Sequence, residues 1–295
     1  MVSNVFVAGG TGFVGSYIIK ALVEKGFKVT LLSKSSQPAY FHHSVNVVSG
    51  DILYPDSWKE SLRNCHVFIN LVGIIREFPK QNITFEKLHV EAADKIINLC
   101  KEFGIKRLIH MSACGASPLG VSKYLVTKYM AEEIVRASGI DYTILRPSLI
   151  FGSNDKTVND FANIIKMFGI FPIFGKGDYK LQPIYAGDVA EVFAKCITHP
   201  FCINKTFCLG GTEIFDYISF IKHIAAAIDK KVYLPLVPVG IIRIITRFMG
   251  RFKFYPLTSE QLEMLLAGNV CGECEIFSEL NINRMEFDKY LEDVF

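Results

Sequence analysis

The chain has 295 residues, enough for one large domain or two modest ones around a substantial core. Half of the residues are hydrophobic and 21% are charged, which excludes wholesale disorder, and a formal net charge of +3 gives no argument for a nucleic-acid partner. No basic-then-apolar leader precedes the first apolar strand, and no apolar run is long and charge-free enough to span a bilayer, so a cytoplasmic protein is expected.

The first element is the apolar run Val5-Phe6-Val7-Ala8, followed by Gly9-Gly10-Thr11-Gly12-Phe13-Val14-Gly15 and an apolar-periodic stretch from Tyr17 to Val23. Strand, glycine turn and helix in that order are the context a dinucleotide site requires. Gly9 permits the tight turn, Gly12 lets a pyrophosphate approach the backbone, and Gly15 lets the helix pack closely on the strand. The helix N-terminus then offers N–H groups and a positive dipole end to the phosphates.

Lys28 to Leu32 reads as the second strand and leads into Ser33-Lys34-Ser35-Ser36, where an adenine ribose should lie. An NAD-preferring site places an acid there, yet this chain has none between Glu24 and Asp51. Ser33 and Lys34 could instead bind a 2′-phosphate, so NADP(H) is favoured, with NAD(H) as the alternative. Val45 to Val48 reads as the third strand and Cys65 to Gly73 as the fourth with its exit turn. A helix is expected over about 85–103, with Leu88, Ala92, Ile96, Leu99 and Cys100 on one face and Gly104 closing it. Arg107 to Met111 and Asp141 to Leu145 supply the fifth and sixth strands. Strands alternating with helices of this length predict an α/β fold, a doubly wound parallel Rossmann sheet, with ligands at the carboxyl ends of its strands.

Between the fifth and sixth strands, Tyr124 and Lys128 fall one turn apart on a predicted helix, and Ser112 follows the fifth strand. A lysine beside a phenol favours the phenolate, bringing its pKa toward the working range. Such a tyrosine can exchange a proton with a substrate oxygen while a nicotinamide carries hydride.

The glycine turn, Gly50-Asp51-Ile52, Tyr124-x-x-x-Lys128 with Glu132, and the segment from Arg146 to Gly152 resemble an extended or atypical short-chain dehydrogenase/reductase. The segments Gln182 to Ala190 and Pro256 to Leu262 narrow the resemblance to the branch of the NAD(P)H-binding accessory subunit of respiratory complex I and its bacterial relatives. This resemblance implies that Gly9, Thr11, Gly12, Phe13 and Val14 surround the pyrophosphate. It also implies Ser33 and Lys34 at the adenine ribose, Asp51 and Ile52 at the adenine, and Leu71, Val72 and Gly73 along the cofactor. Tyr124 and Lys128 would hold the nicotinamide ribose, with Pro147 to Leu149 near the ring. Related epimerases carry a run of hydroxyl residues after the fifth strand. Here it reads Ser112-Ala113-Cys114, so the substrate-polarising position is either Ser112 or replaced by Cys114.

From about residue 151 the elements shorten. The expected division is a nucleotide-binding part over 1–150 and a remainder over 151–295, with 181–211 returning to the sheet and a small, mainly helical cap after about 212. Asp188 to Thr198 reads as a helix and Lys205 to Leu209 as a last strand. Residues 230–259 hold six Lys or Arg and no acid; Arg243, Arg247 and Arg251 form one helical stripe among Ile241, Ile244, Ile245, Phe248 and Phe252. That composition suits a helix lying in a membrane surface, a buried cap helix, or an arginine reaching an anionic substrate. Residues 241–254 are therefore a candidate contact with a membrane or protein complex, at the inner face of a membrane. The eight cysteines are expected as reduced thiols. Cys271-Gly272-Glu273-Cys274 is a C-x-x-C with no second pair in the sequence, so no metal is expected.

Two functions compete. One is a short-chain reductase moving hydride at a carbonyl, alcohol or sugar carbon, with Tyr124 as acid/base, Lys128 as pKa shifter and ribose ligand, and Ser112 polarising the oxygen. The other is a non-catalytic cofactor-holding subunit or assembly factor of a membrane respiratory or quinone-biosynthesis complex. The small-molecule substrate is not legible.

Overall fold

The structure, a computed structural model, describes residues 3–35, 44–250, 252 and 257–295. Seven parallel strands form its central sheet: β1 (Asn4–Ala8), β2 (Lys28–Ser33), β3 (Val45–Ser49), β4 (Val67–Asn70), β5 (Arg107–Met111), β6 (Asp141–Pro147) and β7 (Lys205–Leu209). Their spatial order is β7-β6-β5-β4-β1-β2-β3, so the chain leaves β1 in one direction, returns, and continues in the other from β4. The switch between β1 and β4 opens a crevice at the carboxyl ends of these strands, where this architecture binds ligands.

Alternation along β1 shows why its sequence is a continuous apolar run. Val5 and Val7 join a core with Ile18 and Leu22 of α1 (Phe13–Glu24) and Val189 and Phe193 of α5 (Ala186–Cys196). Phe6 and Ala8 point to the opposite face, toward Ile96 and Cys100 of α2 (Ala92–Glu102) and Val135 of α3 (Lys123–Arg136). The helix expected over about 85–103 forms, but its first part, Glu86–Glu91, is a π-helical turn. Gly104 follows it at φ +69°, in the left-handed conformation that favours glycine.

A third apolar cluster lies beyond the sheet. It joins Val158 and Ala162 of α4 (Thr157–Phe168), Phe220 and Ile224 of α6 (Tyr217–Ala227), and Phe287 and Leu291 of α10 (Phe287–Val294). Between α6 and α10 run α7 (Val239–Met249), α8 (Ser259–Ala267) and α9 (Glu275–Glu279). The segment 268–274 is tied back to the sheet by Gln182, whose side chain accepts from Cys271 N at 2.8 Å and donates to Gly211 O at 3.0 Å.

Two expectations are corrected here. The arginine stripe of α7 is not wholly without counter-charge, because Arg243 donates from Nε and Nη2 to both carboxylate oxygens of Glu263 on α8, at 2.8 and 2.9 Å. Glu263 lies twenty residues further along the chain, outside the acid-free window of the sequence. The cysteines are not all thiols, because Cys208 of β7 and Cys271 are joined as a disulfide. Their Cα atoms lie 5.3 Å apart across a separation of 63 residues, within the range a disulfide spans. Ser36, Arg251, Phe254 and Pro256 lie outside the described residues.

The apolar stripe of α7 is not covered by the described residues of the chain. Ile242 and Thr246 face inward, whereas Ile241, Ile244 and Phe248 are 51%, 62% and 59% exposed. No helix among the described residues is long and apolar enough to cross a membrane.

Candidate functional site

The crevice is built from the turn after β1. Gly9 takes φ +83°, and a side chain there would meet the backbone of Leu71 and Val72 at 2.7–2.8 Å. The glycine thus lets the first turn touch the exit of β4. Gly15 is buried, and a Cβ on it would lie 2.6 Å from the backbone of Gly10, so α1 packs this closely on the turn only because Gly15 lacks a side chain. Gly12 is exposed and open, and a Cβ there would come no nearer to a neighbour than 3.7 Å, from Gly9 O. It is the N-cap of α1, which has no side-chain cap and no acid in its first turn. These features fit an anionic pyrophosphate over Thr11, Gly12, Phe13 and Val14.

At the adenosine edge, Ser33 is buried and its Oγ accepts from Ser35 N at 3.1 Å. Lys34 is exposed and its ammonium lies 2.8 Å from Asp51 Oδ2. Burial tends to raise the Asp51 carboxyl, but Lys34 and the Leu53 N–H outweigh it and hold the group below the usual carboxylate range. Ile52 is buried in the core with Leu32 and Trp58, so of Asp51 and Ile52 only the acid has a polar side chain at this edge.

The carboxyl ends of β4 and β5 carry the second half of the site. A side chain on Gly73 would meet Lys128 Nζ at 2.9 Å and His89 Nε2 at 3.6 Å. Lys128 donates to Met111 O at 3.0 Å, which pins its ammonium beside the end of β5. Burial lowers the Lys128 pKa to about 8, partly offset by the charge of Glu132. The Tyr124 ring packs edge-on against Phe85 and His89, with centroids 5.7 and 5.4 Å away. Burial raises its phenol to about 12, opposite to the shift expected from a neighbouring lysine. Desolvation of the phenolate is the cause of this shift, and no effect of Lys128 offsets it.

Ser112 and Cys114, the two candidates for the serine position, face different surroundings. The Ser112 N–H extends the ladder to Leu145 O at 2.7 Å, and its Oγ is buried with no hydrogen-bond partner among the described residues. Cys114 turns elsewhere: its Sγ approaches Val270 O at 3.4 Å and the sulfurs of Cys208 and Cys271. A buried hydroxyl without a partner costs free energy unless a ligand satisfies it. Ser112 is therefore the residue with the chemistry for an incoming oxygen.

Pro147, Ser148 and Leu149 follow β6. Pro147 O accepts from Cys114 N at 2.9 Å, and Ser148 Oγ donates to Gln182 O at 2.5 Å. The chain then passes the front of α1, where Tyr17 Oη accepts from Ser153 N at 2.9 Å. Glu132, fully buried, receives both Arg146 Nε, at 2.7 Å, and Arg146 Nη2, and also Arg136 Nη2, locking α3 to β6 beneath Lys128.

Three polar residues of this region escape the motif-based reading. His89 Nε2 accepts from Ile74 N at 3.3 Å, so its proton sits on Nδ1 and is donated to Thr127 Oγ1 at 2.9 Å. His110 Nδ1 lies 3.0 Å from Asn70 Nδ2, whose Oδ1 is occupied by Val72 N. Burial first, and then Lys128, lowers the two imidazoles to about 2 and about 3, so both are neutral. A signal for His89 exists: it sits three residues before Ala92 and seven before Ile96, on the apolar face of a predicted helix.

The residues that fit a nicotinamide dinucleotide have relatives of matching kind. Residues 9–200 match the model of a family described as NAD(P)H-binding. The chain is 32% identical over 224 residues to subunit 9 of the NADH dehydrogenase [ubiquinone] 1 alpha subcomplex, mitochondrial, from Arabidopsis thaliana, covering 73% of this chain and 55% of that protein. It thus spans little more than half the length of the plant protein. With the subunit of the same name from Rattus norvegicus it shares 30% identity over 269 residues, 88% of this chain and 70% of the rat protein. The fold is that of UDP-glucuronic acid 4-epimerase from Bacillus cereus in complex with UDP-glucuronic acid and NAD, with a TM-score of 0.76 at 15% identity, covering 99% of this chain and 100% of that one. The glycine cradle, the Lys128–Met111 contact and the partnerless Ser112 thus stand in a protein that belongs to the NAD(P)H-binding family, in the branch of complex I alpha-subcomplex subunit 9.

Proposed function

We propose that the protein holds NADP(H) as a peripheral subunit of a membrane respiratory complex. The observation that carries this reading is the outward stripe of α7. Ile241, Ile244, Ile245 and Phe248 are all exposed, at successive turns of one helix. Each such side chain gains about 1.5–3 kcal/mol when buried, a strong drive for a partner or lipid surface to cover them. The likeness to complex I subunits over most of the chain supports a complex as that partner. The stripe also carries Arg247, which adds attraction to anionic headgroups of about 1 kcal/mol near a membrane surface. The protein would then sit at the inner face of the membrane without crossing it. In this reading residues 1–150 supply most of the nucleotide site, 181–211 return to the sheet, and the rest of 151–295 presents the docking helix.

NADP(H) is the preferred form on the strength of Lys34, exposed and cationic where a 2′-phosphate would lie; NAD(H) is the alternative because Asp51 already faces that lysine. Changing Ile244 and Phe248 together to Glu is expected to leave nucleotide affinity intact and to abolish co-sedimentation with anionic vesicles and with the purified membrane complex. Wild-type protein that stays in the supernatant with both at low salt overturns the docking reading.

A second reading, reduction at a carbonyl or sugar carbon, is favoured by Tyr124, Lys128 and Ser112 at the ends of β4 and β5. Bound there, a nicotinamide gives or accepts a hydride. Tyr124, protonated at neutral pH, donates its phenolic proton to the substrate oxygen in the reducing direction. Ser112 Oγ donates a second hydrogen bond to that oxygen and satisfies its own orphaned hydroxyl. Lys128 holds the ribose hydroxyls, and the buried Glu132 keeps it charged.

A further inference from the structure

The C-x-x-C of Cys271 and Cys274 lacks a second pair in the sequence, but the fold supplies one. Cys114, two residues beyond Ser112, and Cys208 of β7 bring their sulfurs to Cys271, so that all three lie within 4.8 Å of one another. The three come from separate segments, and each is held by its backbone. Cys114 N donates to Pro147 O at 2.9 Å, Cys208 pairs with Arg146 in the sheet, and Cys271 N donates to Gln182 Oε1 at 2.8 Å. Cys274 Sγ accepts from Gly210 N at 3.3 Å, two residues after Cys208, an N–H···S contact of the kind that steadies a thiolate.

We propose that Cys114, Cys208, Cys271 and Cys274 form a structural site for a zinc-class divalent cation, with the Cys208–Cys271 disulfide as its oxidised, metal-free form. Tetrahedral thiolates at about 2.3 Å from zinc stand roughly 3.8 Å apart, so three of the sulfurs need to move by no more than about an ångström. Cys271 and Cys274 have the two-residue spacing of a zinc pair, which makes Cys274, already beside Gly210 N, the candidate fourth ligand. Soft thiolate ligands select zinc over magnesium or calcium. Four protein ligands close the site, which makes it structural: it fastens the Ser112–Cys114 segment to the 268–274 loop across β6 and β7. Entry of the metal follows reduction of the disulfide. A phosphine with one water reduces the S–S bond to two thiols and leaves as phosphine oxide; the divalent ion then displaces the thiol protons.

The test is anaerobic titration of the full chain, reduced with a water-soluble phosphine, with cobalt(II). One equivalent is expected to give thiolate-to-cobalt charge transfer and the visible bands of a tetrahedral site, bleached by zinc. Cys114→Ser and Cys208→Ser are expected to weaken binding at least tenfold. Cys274→Ser, which leaves the cluster of three sulfurs intact, is expected to keep a weaker charge-transfer band from three thiolates. Zinc is expected to raise the melting temperature of the reduced wild type and not that of Cys114→Ser. Absence of the charge-transfer band in reduced wild type, or its persistence at full intensity in a folded Cys114→Ser variant, overturns the proposal. Cys208 and Cys271 would then be only a covalent clasp.

Discussion

Lys34 gives the sharpest test of the nucleotide preference. Its ammonium meets Asp51 Oδ2 at 2.8 Å, but 68% of the lysine side chain is exposed, so the pair contributes at most about 1 kcal/mol to stability. Replacing Lys34 by Ala should therefore leave the free protein almost unchanged, and any lost affinity reports on the ligand. A charged hydrogen bond to a 2′-phosphate is worth about 1.5–3 kcal/mol, or roughly 10- to 150-fold in Kd. Lys34→Ala is expected to weaken NADPH by that factor and NADH by less than about twofold. Asp51→Asn should act in the opposite sense, because it removes a carboxylate from beside the phosphate while an amide oxygen still accepts from Leu53 N. Titration of nicotinamide fluorescence with each nucleotide, at low and high salt, measures all six affinities. Equal affinities of the wild type for NADPH and NADH, or an equal loss of both in Lys34→Ala, refutes the assignment.

Under the reductase reading, Tyr124→Phe should lower turnover by roughly 10²–10⁴ while nucleotide affinity holds; a normally active variant removes the proton-transfer role. Lys128 couples to pH in two directions. Its ammonium is lost as pH rises through about 8, so nucleotide affinity should weaken there, by calorimetric titration across that range. Over the same window, from about 8 to the ordinary lysine range, the unfolded chain binds more protons than the native one, so stability to urea should rise with pH. Lys128→Met should flatten both curves. Glu132→Ala leaves Arg146 and Arg136 without their buried carboxylate and should cost about 3–5 kcal/mol in denaturant unfolding. A loss below about 1 kcal/mol would show that the cluster is not what joins α3 to β6.

The parallel sheet was legible because its signals are local. Apolar runs such as Val5 to Ala8, glycine turns and helical periodicity act within a few residues, and β1 to β7, α1, α2, α3 and α5 form close to where those periods place them. The glycine cradle was legible for the same reason: the steric demands on Gly9 and Gly15 come from the tight geometry of one turn and from the segment it touches. A π-helical turn inside the helix from 85 to 103 was not, since its apolar positions satisfy either helix.

What tertiary structure decided concerns burial, charge pairing and meetings between distant segments. Whether Tyr124 is easier or harder to ionise depends on how much water reaches it, which is not written in Y-x-x-x-K. Ser112 and Cys114 differ in their neighbours, the first buried with a partnerless hydroxyl, the second against a pair of sulfurs. Arg243 found Glu263 on the next helix, and the face of α7 stayed open because α8 covers only its Ile242 and Thr246 side. Cys114, Cys208 and Cys271 lie far apart in the sequence and meet only because β5, β6 and β7 are neighbours in one sheet. Local periodicity determines which elements form; the order in which they are laid side by side determines which side chains lose water together, and the chemistry of the site follows from that.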